Sequence, residues 1–289
     1  MPELPEVETV RRGLMPVLEQ AVIASVDLGR PDLRFAFPTD FAARLTGRTV
    51  TALRRRSKYL LADLDDGFVL LAHLGMSGSF RVAGAEPSGA FAPGAFAMAR
   101  SRDSAHDHVR IHLTSGLEVI YNDPRRFGFM DLFASSGEAS HPRLAGLGPE
   151  PISNAFSGGL LEEAFAGRKS PIKTVLLDQS VVAGLGNIYV CEALHRSAIS
   201  PLRTAASLGS AECARLAAAV CEVIAEAIEA GGSTLRDHMR TDGSLGYFQH
   251  SFKVYDREGC DCPRPGCGGT VVRQTQSGRS TFFCARCQA

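Results

Sequence analysis

Residues 49–133 read as a series of short apolar runs: TVTALR (49–54), YLLADL (59–64), FVLLAHL (68–74), VRIHLT (109–114), LEVIYN (117–122) and FGFMDLF (127–133). Each has strand length, is rich in Val, Ile, Leu, Tyr and Phe, and is bounded by Gly, Asp-Gly or Ser-Gly turns. The pattern predicts a predominantly β domain, a sandwich. Upstream, Val7, Val10, Leu14, Val17 and Leu18 recur at helical spacing behind Pro5, which suits a first helical position. One helix over 5–19 therefore enters the sandwich, and Pro16 should kink or end it. Residues 83–102, rich in Ala, Gly and Pro, predict a long mobile loop inside the β text.

Downstream the periodicity changes. Residues 136–152 read as a linker. Four helical stretches follow: 158–166, 170–179 with Ser170 as cap and Pro171 behind it, 187–196 after Gly184-Leu185-Gly186, and a long one capped by Ser210 and closed by Gly231-Gly232. The expected fold class is α+β and multidomain. Its boundaries are 1–135 for the β domain, 136–152 for the linker, 153–250 for the helical domain and 251–289 for the tail.

Composition bounds the function less tightly. The chain has 289 residues, enough for about two domains, and balances 31 basic against 31 acidic residues. Overall charge gives no sign of a nucleic-acid partner. Local clusters do: Arg54-Arg55-Arg56, Arg125-Arg126, and a tail from Cys262 onward with four arginines and no acid. No apolar run approaches the roughly 20 residues of a membrane span. The start, MPELPEVETVRRG, lacks a secretory apolar stretch, so the expected location is the cytosol.

Five of the eight cysteines lie in the last thirty residues. The spacing Cys262-x4-Cys267-x16-Cys284-x2-Cys287 has two close pairs around a hairpin-sized insert, which predicts one structural, tetrahedral four-thiolate Zn2+ site. Strands at 270–273 and 280–283, with Gln276-Ser277-Gly278 at the tip, complete a ribbon too small to fold without metal. Cys260 is a spare thiol and a weaker candidate to replace Cys262. A closed four-cysteine site leaves no coordination position for catalysis. The ribbon also sets Arg279 on a rigid hairpin, where it can reach a phosphate.

Pro2 is the unusual residue at the other end. With Met1 removed it is a secondary terminal amine of pKa near 8, about a tenth unprotonated at neutral pH. Such an amine attacks carbon electrophiles and forms Schiff bases. Glu3 and Glu6 beside it can act as acid or base, although acids early in a helix also complement its dipole.

Taken together, Met1-Pro2-Glu3-Leu4-Pro5-Glu6, Lys58-Tyr59-Leu60, His73-Leu74-Gly75-Met76-Ser77-Gly78, Asp123-Pro124-Arg125-Arg126-Phe127-Gly128, Gly184-Leu185-Gly186-Asn187-Ile188-Tyr189 and the cysteine tail resemble the formamidopyrimidine-DNA glycosylase family. The motifs occur in the family's order over essentially the whole chain. Leu4 favours the oxidised-purine branch over the endonuclease VIII branch, which usually has Gly there.

The resemblance implies an N-terminal β-sandwich with flanking helices, a helix–two-turn–helix module and the zinc ribbon. It implies a bifunctional DNA glycosylase and AP lyase of base excision repair that excises 8-oxoguanine and formamidopyrimidines. Pro2 would be the nucleophile and Glu3 the acid–base group, with Lys58 and Arg279 completing the catalytic set. Met76, Arg125 and Phe127 would fill the hole left by an extruded nucleotide. Lys58, Asn187 and Arg279 would hold phosphates, and His73 and His108 are weaker candidates for DNA contact. Residues 240–247 would form a loop over the extruded base. The expected partner is damaged double-stranded DNA, bound by a monomer in the bacterial cytosol or nucleoid. The alternatives are a non-catalytic damage-binding relative and an oxidised-pyrimidine glycosylase. Two features depart from the family pattern: four residues rather than two inside the first cysteine pair, and the length of the 83–102 loop.

Overall fold

The structure, a computed structural model, describes residues 2–84, 103–233 and 247–289. The expected loop at 83–102 and the expected base-covering loop at 240–247 therefore lie almost wholly outside the described residues. The chain divides into two compact units, residues 1–145 with 230–247, and residues 146–229 with 248–289.

In the first unit, α1 spans Leu4–Leu18, β1 Ile23–Leu28, α2 Phe41–Leu45, β2 Val50–Arg56, β3 Tyr59–Leu64, β4 Phe68–His73, β5 Ser79–Ala83, β6 Asp107–Leu113, β7 Glu118–Asn122 and β8 Phe129–Ala134. They build two four-stranded antiparallel sheets, β1-β6-β7-β5 and β2-β3-β4-β8. One core joins them, with Leu60, Leu70, Ala72 and Met130 from one sheet, Val109, Ile111, Val119 and Tyr121 from the other, and Val7, Val10 and Leu14 from α1. The sandwich expectation holds for all six runs. β1 and β5 were hidden in the sequence because neither alternates cleanly: β1 buries only Ile23 and Val26, and β5 carries Ser79 and Arg81 among its apolar residues.

α1 matches the expected span to within a residue at each end, and Pro16 does not end it: the helix continues to Leu18. Proline removes one backbone donor, but so close to the helix end little ladder remains to be broken. Leu18, the last residue, is buried. The helix is held to β2 by charge. The buried Glu8 carboxylate accepts from Arg11, Arg12 and Arg55, and Arg11 also donates to the Leu53 carbonyl. Burial pushes the Glu8 carboxyl up, but these guanidiniums outweigh it and hold it at about 2.

In the second unit, α3 spans Gly158–Phe165, α4 Ile172–Leu176, α5 Asn187–Arg196, α6 Ser210–Glu229, β9 Val271–Gln276 and β10 Arg279–Cys284. α4 stops well short of the expected 179, because Asp178 turns its carboxylate onto the Ser180 N–H and hydroxyl. Ser210 is the first residue of α6 rather than its cap, and its hydroxyl donates to Glu162 of α3. β9 and β10 pair as a two-residue hairpin around Ser277-Gly278, both with positive φ, which suits the twist of an antiparallel ribbon. Among the described residues no helix is long and apolar enough to cross a membrane.

Candidate active site and nucleic-acid surface

Two contacts set the direction of α1 on β2: Arg11 lies against Leu53 and Glu8 against Arg55. Descending the helix thus ascends the strand, and the first residues of α1 are aimed toward the Ser57-Lys58 turn at the end of β2. At that end Pro2 and Glu3 are buried, Glu3 only 2 % exposed. Glu3 and Glu6 form a reciprocal capping box, with the Glu3 N–H donating to Glu6 Oε2 at 2.8 Å. Glu6 Oε1 accepts from the backbone N–H and hydroxyl of Ser233. Glu6 is therefore committed to holding backbone, which leaves Glu3 as the nearer acid–base candidate. Lys58, 7 % exposed, sits in the turn whose first residue, Ser57, has φ +54°.

His73 ends β4, stacked on Phe129 at 5.3 Å and with the Tyr59 ring tilted against it at 5.2 Å. Burial, then the cations Lys58, Arg34 and Arg143, lower its pKa to about 4. The ring is neutral at pH 7 and its Nδ1 accepts from the Gly75 N–H, so its proton stands on Nε2 as a donor. His108 is placed differently. It is 5 % exposed with Nε2 3.0 Å from the Asp123 carbonyl, a structural position inside the unit.

Met76, Arg125 and Phe127 are brought together by topology. β4 leads to β5 through residues 74–78, and β7 leads to β8 through 123–128. Both connections cross between the sheets at the same end, flanked by the rungs His73↔Phe129 and Ser79↔Asn122. Asp123, fully buried, ties them together. It accepts from the Ser77 hydroxyl at 2.5 Å, the Tyr121 hydroxyl at 3.2 Å and the Gly128 N–H at 2.8 Å, while Ser77 Oγ accepts the Arg125 N–H. Burial, then Asp123, pushes the Tyr121 phenol well up, so it remains a donor.

The result is an open groove of about 540 Å³ bordered by Arg34, His73, Met76, Arg125 and Phe127. Met76 and Phe127 are 37 % and 40 % exposed, unusual for such side chains, and the Arg125 guanidinium lies 4.9 Å from the Phe127 ring centre. The close approach of the two loops needs glycine. Gly75 has φ +64°, and a Cβ there would meet the Phe127 backbone at 2.3 Å. A Cβ on Gly128 would fall 1.8 Å from the Tyr121 hydroxyl and 2.7 Å from the His73 carbonyl. Gly128→Ala is accordingly expected to lower unfolding free energy in urea by about 1–3 kcal/mol. Adding Tyr121→Phe, which removes the clashing oxygen, should restore part of the loss.

In the second unit the tail cysteines converge. The Sγ atoms of Cys262, Cys267, Cys284 and Cys287 lie within 4.8 Å of one another, with Cys262–Cys287 and Cys267–Cys284 at 3.7 and 3.6 Å. A tetrahedron with Zn–S bonds near 2.3 Å has edges of roughly 3.8 Å, so the donor set fits one structural Zn2+. Cys260 is exposed and lies outside this group.

Arg279 stands exposed at the first position of β10. The next carbonyl, Ser280, accepts from Asn187 Nδ2 at 2.8 Å and from Lys173 Nζ at 2.9 Å. Lys173 also donates to Thr281 Oγ1 and is 1 % exposed. Asn187 thus uses its side-chain donor on β10, although the N-terminus of α5 leaves backbone N–H groups for an anion. Lys173 and Glu192, whose carboxylate accepts the N–H groups of Lys253, Val254 and Tyr255, were missed in the sequence. A lysine on a short helix and a glutamate on a longer one carry no sign of what will cover them.

Comparison with known proteins agrees with this arrangement. Residues 1–130 match the formamidopyrimidine-DNA glycosylase N-terminal domain, 147–239 its H2TH domain, and 262–289 the zinc finger found in FPG and IleRS. The formamidopyrimidine-DNA glycosylase of Agrobacterium fabrum is 57 % identical over 297 residues, covering 100 % of both chains, and that of Rhodopseudomonas palustris strain TIE-1 is 59 % identical over 294, again covering 100 % of both. Among solved structures, the MutM (FPG) protein of Thermus thermophilus aligns with a TM-score of 0.83 at 39 % identity, covering 99 % of this chain and 98 % of that one. Lactococcus lactis Fpg in complex with abasic-site DNA gives 0.85 at 33 % identity, covering 99 % of each. On these matches, and on the Pro2–Glu3 helix start, the two-loop ledge and the four-thiolate cluster, the chain belongs to the formamidopyrimidine-DNA glycosylase family.

Proposed function

We propose that the chain is a bifunctional DNA glycosylase and AP lyase of base excision repair, acting on oxidised purines in double-stranded DNA. The observation that carries the reading is the buried Pro2-Glu3 pair at the start of α1, aimed toward the Lys58 turn. In this reading Met1 is removed and the Pro2 nitrogen attacks C1′ of an extruded nucleotide. The glycosidic bond breaks and the base leaves with its bonding electrons. Glu3 gives a proton to the sugar-ring oxygen as the ring opens, and a Schiff base to Pro2 results. Loss of a C2′ proton expels the 3′ phosphate, and the second elimination expels the 5′ phosphate.

Extrusion leaves a gap in the stack, and Met76 and Phe127 supply surface to fill it. Arg125, beside Phe127, has the planar donors to meet the orphaned base. Lys58, His73 through its Nε2–H, Arg279 and the N-terminus of α5 at Asn187 bind the backbone phosphates around the lesion. His108 acts through Asp123, shaping the ledge from below. Zn2+ holds the ribbon and takes no part in the chemistry. The reading includes a monomer in the bacterial cytosol or nucleoid, with the β domain at 1–135, the linker at 136–152, the helical domain at 153–250 and the ribbon at 251–289. The bacterial relatives support the bacterial setting, and the DNA-bound neighbour supports the DNA partner.

The test is a comparison of excision rates on duplexes carrying 8-oxoguanine opposite cytosine or thymine glycol opposite adenine. Faster release of 8-oxoguanine is expected. Faster release of thymine glycol would move the chain to the oxidised-pyrimidine class, and tight binding without cleavage of either would make it a damage-binding protein.

A further inference from the structure

The zinc-binding tail meets α5 at the last turn of the helix. His195, 5 % exposed, presents Nε2 at 3.4 Å from Cys262 Sγ. The four residues between Cys262 and Cys267 include Arg264, whose Nη2 donates to the carbonyls of His195 and Arg196. These carbonyls lie at the C-terminus of α5, where helix geometry leaves acceptors unsatisfied and the dipole favours a cation.

A zinc-bound cysteine is a thiolate with lone pairs and no proton, so the contact with His195 has one polarity: the ring N–H donates and the sulfur accepts. Four thiolates around one Zn2+ carry two net negative charges in a largely buried site. A neighbouring N–H directed at a sulfur offsets part of that charge and fixes the ligand's orientation. We propose that His195 is an outer hydrogen-bond partner of the zinc site, donating from Nε2 to Cys262 Sγ, with Arg264 clasping the last turn of α5 to keep the ring in reach. The departure in cysteine spacing then has a physical role, since the longer spacer carries the arginine that does the clasping. The inference concerns zinc retention and stands apart from the lesion chemistry.

The test uses the full, zinc-loaded chain. Zinc release to excess 4-(2-pyridylazo)resorcinol is followed for the wild type, His195→Phe, which keeps a planar ring without a donor, and His195→Gln, which keeps an N–H. His195→Phe is expected to release zinc about tenfold faster or more, with His195→Gln between it and the wild type. Equal rates for wild type and His195→Phe would overturn the proposal. Should His195→Phe fail to fold, the wild-type chain loaded with NMR-active cadmium decides. A scalar coupling between the His195 Nε2 proton and the metal, transmitted through the N–H···S bond, is expected. An Nε2 without a proton, or a proton without coupling, would overturn it.

Discussion

Glu3→Gln is expected to slow base release by about 10²–10⁴-fold while binding of a duplex with an abasic-site analogue stays near wild type. The size follows from what the amide keeps and what it loses. Glutamine fits the same space and still accepts the Glu6 N–H, so the capping box and the start of α1 survive. It cannot deliver and recover a proton. Glu6 cannot substitute, because its two oxygens are engaged by the Glu3 N–H and by Ser233. Single-turnover kinetics beside a binding isotherm separate the two effects. Retention of rate within a few-fold would remove Glu3 from the proton-transfer role.

Cys284→Ser is the second large effect. Cys284 is fully buried and closes β10, two residues beyond Phe282 and five beyond Arg279. The ribbon has only a small core, Val271 and Phe282 packed with Cys191 and Val254, so most of its folding free energy comes from the metal. Losing the site also disturbs two hydrogen bonds of the buried Lys173 ammonium, to Ser280 and Thr281 of the same strand. Hydrogen bonds to a buried charge are costly to weaken. Bound zinc should fall from one ion per chain to near zero, proteolysis should open residues 251–289, and damaged-DNA affinity should drop at least about tenfold through loss of the proposed Arg279 phosphate contact. A variant that keeps its zinc, or loses it without weakening on DNA, would contradict the role given to the ribbon.

Much of this architecture is legible in the sequence because it rests on local pattern. Strand-length apolar runs, the Ser-Gly hairpin tip and the cysteine spacing each state a local geometry. What escapes is what depends on distant partners. Nothing local marks Asp123 as buried, yet it ties Ser77, Tyr121 and Gly128 into the ledge that exposes Met76 and Phe127. Nothing local marks Lys173 as buried, yet its ammonium donates to Ser280, 107 residues away. His108 looked as available to DNA as His73. Only the strand pairing shows that one ring is turned inward to the Asp123 carbonyl while the other sits at the rim of the groove.

The nucleophile is the centre of the account, and borohydride trapping tests it most directly. The chain is incubated with an 8-oxoguanine:cytosine duplex in the presence of borohydride, and the modified residue is located by mass spectrometry of the peptides. The account predicts a covalent protein–DNA adduct at the Pro2 nitrogen in chains that have lost Met1, and none in chains that retain it. No adduct, an adduct on a lysine side chain, or efficient trapping of the Met1-bearing form would contradict it.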